Sequence, residues 1–209
     1  MTAAADLLQI SPVIPVVTVE DPVAAVPVAR ALLAGGIRIL ELTLRTDRAL
    51  EALDRIARGV PEMVVGAGTV RTPRQADDAI AHGARFVVSP GTSPRLLEHL
   101  AALPVPVLPG VGTVGEILTA VEHGLTELKL FPAGPVGGPA FLAAVAGPVP
   151  EVRFCPTGGV SPDNLTDYLA LGNVPAVGGS WLTPRSAVAA EDWAQITALA
   201  VDALSRSRR

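Results

Sequence analysis

The stretch DPVAAVPVARALLAGGIRILELTLRT, residues 21–46, holds one complete unit of the fold. Asp21-Pro22 supplies a helix N-cap with proline at the first helical position, where its missing N–H leaves no helical bond unmade. Apolar residues then recur at helical spacing as far as Ala34, and Gly35-Gly36 provides the glycine that ends a helix in the left-handed conformation. The apolar run Ile39–Leu44 follows, with the character of a buried strand. The same alternation continues in both directions from this unit, about every 20–26 residues.

Strand-like runs occupy Val13–Val19, Ile39–Leu44, Met63–Thr69, Phe86–Pro90, Val105–Pro109, Glu127–Phe131, Val152–Pro156 and Ala176–Ser180. Candidate helices lie between them at 21–34, 47–58, 72–82, 93–102, 113–123, 137–146 and 161–171, with a last one at 191–205. Thr72-Pro73, Ser93-Pro94 and Ser161-Pro162 repeat the N-cap device, while His82-Gly83, His123-Gly124 and Leu171-Gly172 repeat the glycine stop. Eight β/α units without a linker or composition shift predict an α/β architecture: a single (β/α)8 TIM barrel over residues 1–209, with a frayed tail at 205–209. An open doubly wound sheet is the alternative, but no G-x-G-x-x-G follows the first strand, where a dinucleotide-binding fold needs it.

With 49% hydrophobic and 17% charged residues, the chain of 209 residues can bury a large core and is not disordered. A net charge of −4 argues against nucleic acid or an anionic membrane as partner, since both need a basic field, and leaves small molecules. One cysteine, Cys155, builds no disulfide framework, and neither a signal peptide nor a membrane span is visible. A cytoplasmic location is the expectation. Fifteen of the 16 basic residues are arginine, so Lys129 is the sole lysine, set inside the apolar run Leu128-Lys129-Leu130-Phe131. Codon bias accounts for the scarcity of lysine but not for a survivor in so apolar a place.

A barrel of this kind carries its active site at the C-terminal ends of the strands. Period-2 alternation puts Glu41, Thr43 and Arg45 on one face of the second strand, and Glu127, Lys129 and Phe131 on one face of the sixth. Charges on a barrel wall are costly unless paired or used. Either Glu41 makes an ion pair with Lys129 or Arg45 that merely satisfies the interior, or these groups do chemistry. Glu127 falls near the other end of its strand, where solvent can reach it, and takes no role. A sole lysine beside a carboxylate points to a Schiff base, with the amine attacking a carbonyl in its neutral form and Glu41 shuttling protons. Desolvation and the positive field of Arg45 both favour that neutral form.

Thr157-Gly158-Gly159 and Gly178-Gly179-Ser180 end the last two strands, where barrels commonly bind phosphate on exposed backbone N–H groups. His82, His99 and His123 lie in helices or at their C-terminal ends and read as surface or capping residues. Cys155, without a base at hand, reads as packing, as do Trp181 and Trp193. Leu96, Leu97 and Leu100 form an apolar helical face that belongs either to a subunit contact or to the core. No H-E-x-x-H or cysteine cluster offers a metal site.

Several of these segments carry a family resemblance: residues 35–46 (GGIRILELTLRT), 65–70 (VGAGTV), Ser89-Pro90-Gly91, Leu130-Phe131-Pro132-Ala133, residues 153–160 (RFCPTGGV) and residues 178–182 (GGSWL). From Ile14 to about Leu204 the chain resembles the class I aldolases that cleave 2-keto-3-deoxy-6-phosphogluconate (KDPG) and 4-hydroxy-2-oxoglutarate (KHG). The resemblance implies a homotrimeric barrel enzyme without metal or other cofactor, acting on pyruvate and a phosphorylated keto acid. It makes Lys129 the Schiff-base lysine and Glu41 the general acid/base. Arg45 and Thr69 then contact the pyruvate carboxylate, Phe131 packs on pyruvate, and Thr157 reaches the substrate near the new carbon–carbon bond. Gly158, Gly159, Gly179 and Ser180 take the phosphate. One departure is Gly134-Pro135-Val136, where relatives often carry an acidic residue, and it bears on the substrate rim.

The expected function is therefore a lyase releasing pyruvate and glyceraldehyde 3-phosphate, with KHG cleavage to pyruvate and glyoxylate as a secondary activity. Alternatives are the 6-phosphogalactonate epimer as main substrate and a non-catalytic phosphate-binding barrel. A metal-dependent aldolase or isomerase would lose activity to EDTA.

Overall fold

The strands are short and, where they line the barrel, buried on both sides, which is why their sequences are apolar nearly throughout. They are β1 (Val13–Val17), β2 (Ile39–Thr43), β3 (Val64–Gly68), β4 (Val87–Val88), β5 (Val107–Leu108), β6 (Gly110–Val111), β7 (Glu127–Leu130), β8 (Arg153–Pro156) and β9 (Val177–Gly179). The structure, a computed structural model, describes residues 4–207. Parallel pairing runs β5-β4-β3-β2-β1-β9 in one sheet and β6-β7-β8 in another. Two links join them into one circuit. β5 and β6 flank Pro109, whose carbonyl accepts from Lys129 N at 3.0 Å, and Thr157 forms a parallel bridge with Gly178. The result is the (β/α)8-type barrel, not the open doubly wound sheet.

The fifth expected run, Val105–Pro109, is thus corrected to two short strands. Proline has no N–H to give to a ladder, so pairing stops at Pro109 and resumes at Gly110. The helices are α1 (Ala25–Ala34), α2 (Ala49–Gly59), α3 (Pro73–Ala81), α4 (Pro94–Ala101), α5 (Val114–Glu122), α6 (Gly138–Val145), α7 (Leu165–Leu169), α8 (Arg185–Ala189) and α9 (Trp193–Ser207). Thr72 and Ser93 cap α3 and α4 through their hydroxyls, as their positions before proline predict, each cap being worth about 1 kcal/mol. Asp21 caps a 3-10 turn, Pro22–Ala24, that leads into α1. Ser161-Pro162 does not start its helix. Ser161 heads a turn ahead of the helix instead, its Oγ accepting from Asp163 N at 3.4 Å while Asn164 Oδ1 accepts from Ser161 N at 2.8 Å, and α7 begins at Leu165.

The frayed tail is also corrected in part. α9 runs through Ser207, with Arg206 Nε donating to Asp202 Oδ2 at 2.6 Å; residues 208 and 209 lie outside the described ones. Leu96, Leu97 and Leu100 are all buried within the chain's own core. Phe86 fills the barrel interior over Gly66, where a Cβ would lie 2.4 Å from its ring. Trp181 and Trp193 pack half-buried against the core, as expected. Among the described residues no helix is long and apolar enough to cross a membrane.

Candidate active site

Register fixes which side chains face the barrel axis. Glu41 pairs with Gly66 and Val16 on its neighbours, and Lys129 pairs with Gly110 and Cys155. Residues opposite each other in parallel strands point the same way, so β2 and β7 send Glu41 and Lys129 inward from different sides of the barrel. They meet there. Lys129 Nζ donates to Glu41 Oε1 at 3.0 Å and to Oε2 at 3.2 Å, and both residues are 3% exposed. Of the two pairings open to Glu41, the structure takes Lys129. Desolvating two ions costs several kcal/mol each, so a buried pair of this kind is weak evidence of stability. Its chemical capacity is specific: one proton moved from Nζ to the carboxylate leaves a nucleophilic amine beside a carboxylic acid.

Phe131 lies above this pair, its ring centroid 5.4 Å from Nζ. The other edge of the ring abuts Gly158, where a Cβ would lie 3.3 Å from it. Gly158 and Gly159 both have left-handed φ, 89° and 88°, a conformation in which successive N–H groups can form an anion-binding concavity. Two contacts anchor this loop that the sequence reading missed: Asn164 Nδ2 donates to Gly159 O at 2.9 Å, and Gly134 N donates to Gly158 O at 2.8 Å. The Asn164 signal was an amide side chain three residues after Ser161, the spacing at which it can accept from the Ser161 N–H, overshadowed by the Ser-Pro pattern. The Gly134-Pro135-Val136 departure therefore sits against the glycine loop itself.

Thr157 is buried, its hydroxyl in the space that Gly178 leaves open. Gly179 is covered by the Trp181 ring, and Ser180 is exposed at the end of β9. Just past the C-terminal ends of β2 and β3, Arg45 is exposed and donates from Nε to Thr69 Oγ1 at 3.1 Å. Thr69 has φ 60°, a region that β-branched residues rarely enter and that costs about 1–3 kcal/mol. Charge on the carboxylate side of a ligand has a ready partner in this guanidinium. The near charge at Lys129 is Glu41 rather than Arg45.

Glu127 is corrected from solvated to buried: it is 5% exposed and paired with Arg153, its register partner on β8. Burial pushes the Cys155 thiol up to about 12, so it stays protonated, in keeping with a packing role. His82 and His123 each sit at a helix C-cap with Nδ1 on a carbonyl of the preceding turn, and His99 bonds Asp77. No group of three or more His, Cys, Asp or Glu side chains among the described residues could hold a metal ion.

With the geometry in place, the likeness to known proteins is extensive. Residues 5–199 match the family described as KDPG and KHG aldolase. The chain is 47% identical over 207 residues to the KHG/KDPG aldolase of Escherichia coli K12, covering 99% of this chain and 97% of that one. It is 48% identical over 204 residues to the 2-dehydro-3-deoxy-phosphogluconate aldolase of Dickeya dadantii, covering 98% and 96%. Among solved structures, the KDPG aldolase of Legionella pneumophila, with pyruvate captured at low pH as a covalent carbinolamine intermediate, superposes with a TM-score of 0.94. It shares 43% identity and covers 96% of this chain and 97% of that one.

Proposed function

This chain belongs to the KDPG and KHG aldolase family, and from that premise we propose the division of labour among its residues. The protein is a class I carbon–carbon lyase that cleaves KDPG to pyruvate and glyceraldehyde 3-phosphate. The observation that carries the residue assignment is the sole lysine, buried in the barrel with its Nζ 3.0 Å from a carboxylate. Lys129 Nζ adds to the keto carbon of the substrate to give a carbinolamine, and water leaves to give the iminium. The iminium draws in the electron pair of the bond between carbons 3 and 4 as the hydroxyl on carbon 4 loses its proton. Glyceraldehyde 3-phosphate departs and an enamine remains. Protonation of that enamine and hydrolysis of the imine release pyruvate and restore the amine.

Glu41 is the group that carries these protons, since its carboxylate already touches Nζ. Arg45 and Thr69, bonded to each other at the rim, take the substrate carboxylate, and Phe131 packs on the pyruvate portion. Thr157 lies by the breaking bond, and Gly158, Gly159, Gly179 and Ser180 bind the phosphate. KHG cleavage runs through the same imine. The single barrel domain spans residues 1–209, the enzyme works as a homotrimer, and it acts in the cytoplasm. The trimer rests on the family resemblance, the single domain on eight β/α units without a linker, and the location on a composition with one cysteine, which fits a reducing compartment.

Pyruvate release from KDPG, and from its galactonate epimer in parallel, tests the reading. The expected result is turnover of KDPG that falls to background in Lys129→Ala. Turnover surviving in that variant overturns the assignment. Light scattering of the purified protein at three times the chain mass is expected for the trimer, and a monomer would refute it.

A further inference from the structure

Among the described residues Lys129 is the side chain that hydrogen-bonds the Glu41 carboxylate, and the space which that carboxylate occupies exists because residue 68 has no side chain. Gly68 ends β3 opposite Thr43 of β2, in the register that points inward. A Cβ built on Gly68 would lie 2.0 Å from Glu41 Oε1, 2.4 Å from Cγ and 2.5 Å from Cδ. All three nearest atoms belong to one side chain, and none to backbone. Real Cβ contacts essentially never fall below 3.0 Å, so a methyl group here displaces the carboxylate by about 1 Å or more. Gly68 has no left-handed φ, so alanine fits the backbone and the effect is one of space alone.

We propose that Gly68 is a positioning residue for the acid/base step: its missing side chain is the seat that holds the Glu41 carboxylate on Lys129 Nζ. The inference rests on the reading of Lys129 and Glu41 given above and extends it to a residue that touches no substrate. Moving a reacting group by about 1 Å can cost about 100-fold in rate. Gly68→Ala therefore lowers the exchange of pyruvate methyl protons for deuterium, and kcat for cleavage, by about 100-fold. KM moves much less, because the three atoms nearest the new methyl all belong to Glu41.

The experiment is a double-mutant cycle. Wild type, Glu41→Gln, Gly68→Ala and the double variant are compared for methyl-proton exchange by NMR in deuterium oxide. The wild type alone is also tested for pyruvate trapping by borohydride. If Gly68 acts through Glu41, the losses do not add: the double variant exchanges at the rate of Glu41→Gln. Multiplying losses, or a Gly68→Ala enzyme with unchanged exchange, overturn the proposal. Absence of trapping in the wild type refutes the Schiff-base reading instead, and so separates the two failures. If Gly68→Ala alone does not fold, Glu41→Ala/Gly68→Ala decides. The proposal expects it to fold with the melting temperature of Glu41→Ala, because the atoms the methyl meets are gone; a double variant that is also unfolded contradicts it.

Discussion

Replacing Lys129 by methionine keeps an unbranched apolar side chain on β7 and leaves the Glu41 carboxylate buried without its cation. At 3.0 Å and an effective dielectric of about 20 the gross attraction in the pair is about 5 kcal/mol. Desolvation of the two ions consumes several kcal/mol each, so the net worth of the intact pair is near zero. Removing one partner is a different matter, because the remaining charge keeps its desolvation cost and loses its compensation, for about 3–5 kcal/mol. In a chain of this size that lowers Tm by about 10 °C. Glu41→Leu added to Lys129→Met removes the orphan charge and recovers most of the loss, since two apolar groups replace the pair. Calorimetry of wild type, both single variants and the double variant at neutral pH measures it. Single-variant losses that simply add in the double variant would refute the reasoning. That outcome would mean that the two groups do not meet in solution as a buried pair.

Three further perturbations probe other parts of the site. Arg45→Leu removes the exposed guanidinium bonded to Thr69, and KM for pyruvate in the exchange reaction is expected to rise about 10–100-fold, the worth of a charge-assisted hydrogen bond; an unchanged KM counts against carboxylate binding there. Asn164→Ala frees Gly159 O, and KM for phosphorylated substrate should rise while pyruvate exchange stays at the wild-type rate; equal loss in both assays would contradict a role confined to the glycine loop. Cys155 ionises at about 12 in the folded chain but near 9 when unfolded, so between these values the unfolded state binds fewer protons and stability falls as pH rises. Wild type should lose up to a few kcal/mol from pH 9 to 12 that Cys155→Ala does not, measured by denaturant unfolding; parallel pH profiles would contradict the burial argument.

What the chain discloses unaided follows from which interactions are local. Cap and stop residues report on their own turn, so Thr72, Ser93 and the glycines after α1, α3 and α5 mark helix ends that the structure keeps. Alternation along a strand is equally local, and it put Glu41 and Lys129 inward. Their mutual contact is not local: 88 residues separate them, and only barrel closure chooses Lys129 over Arg45 as the partner of Glu41. The same limit hid the Glu127–Arg153 pair, which depends on β7–β8 register, and the Asn164 anchor, which depends on where the loop after β8 folds back. Ser161-Pro162 misled because a Ser-Pro pattern that caps α4 here heads a turn instead. The seat at Gly68 was invisible in principle, since a glycine in a strand states that space is needed but not what fills it.

The central claim is a covalent bond between Lys129 and pyruvate, and intact mass after incubation with pyruvate and sodium borohydride tests it most directly. The account predicts the gain of one reduced pyruvate per chain, mapped to the peptide containing Lys129, the only side-chain amine in the sequence. Folded protein that gains no mass, or an adduct mapping only to the N-terminal amine, would contradict it.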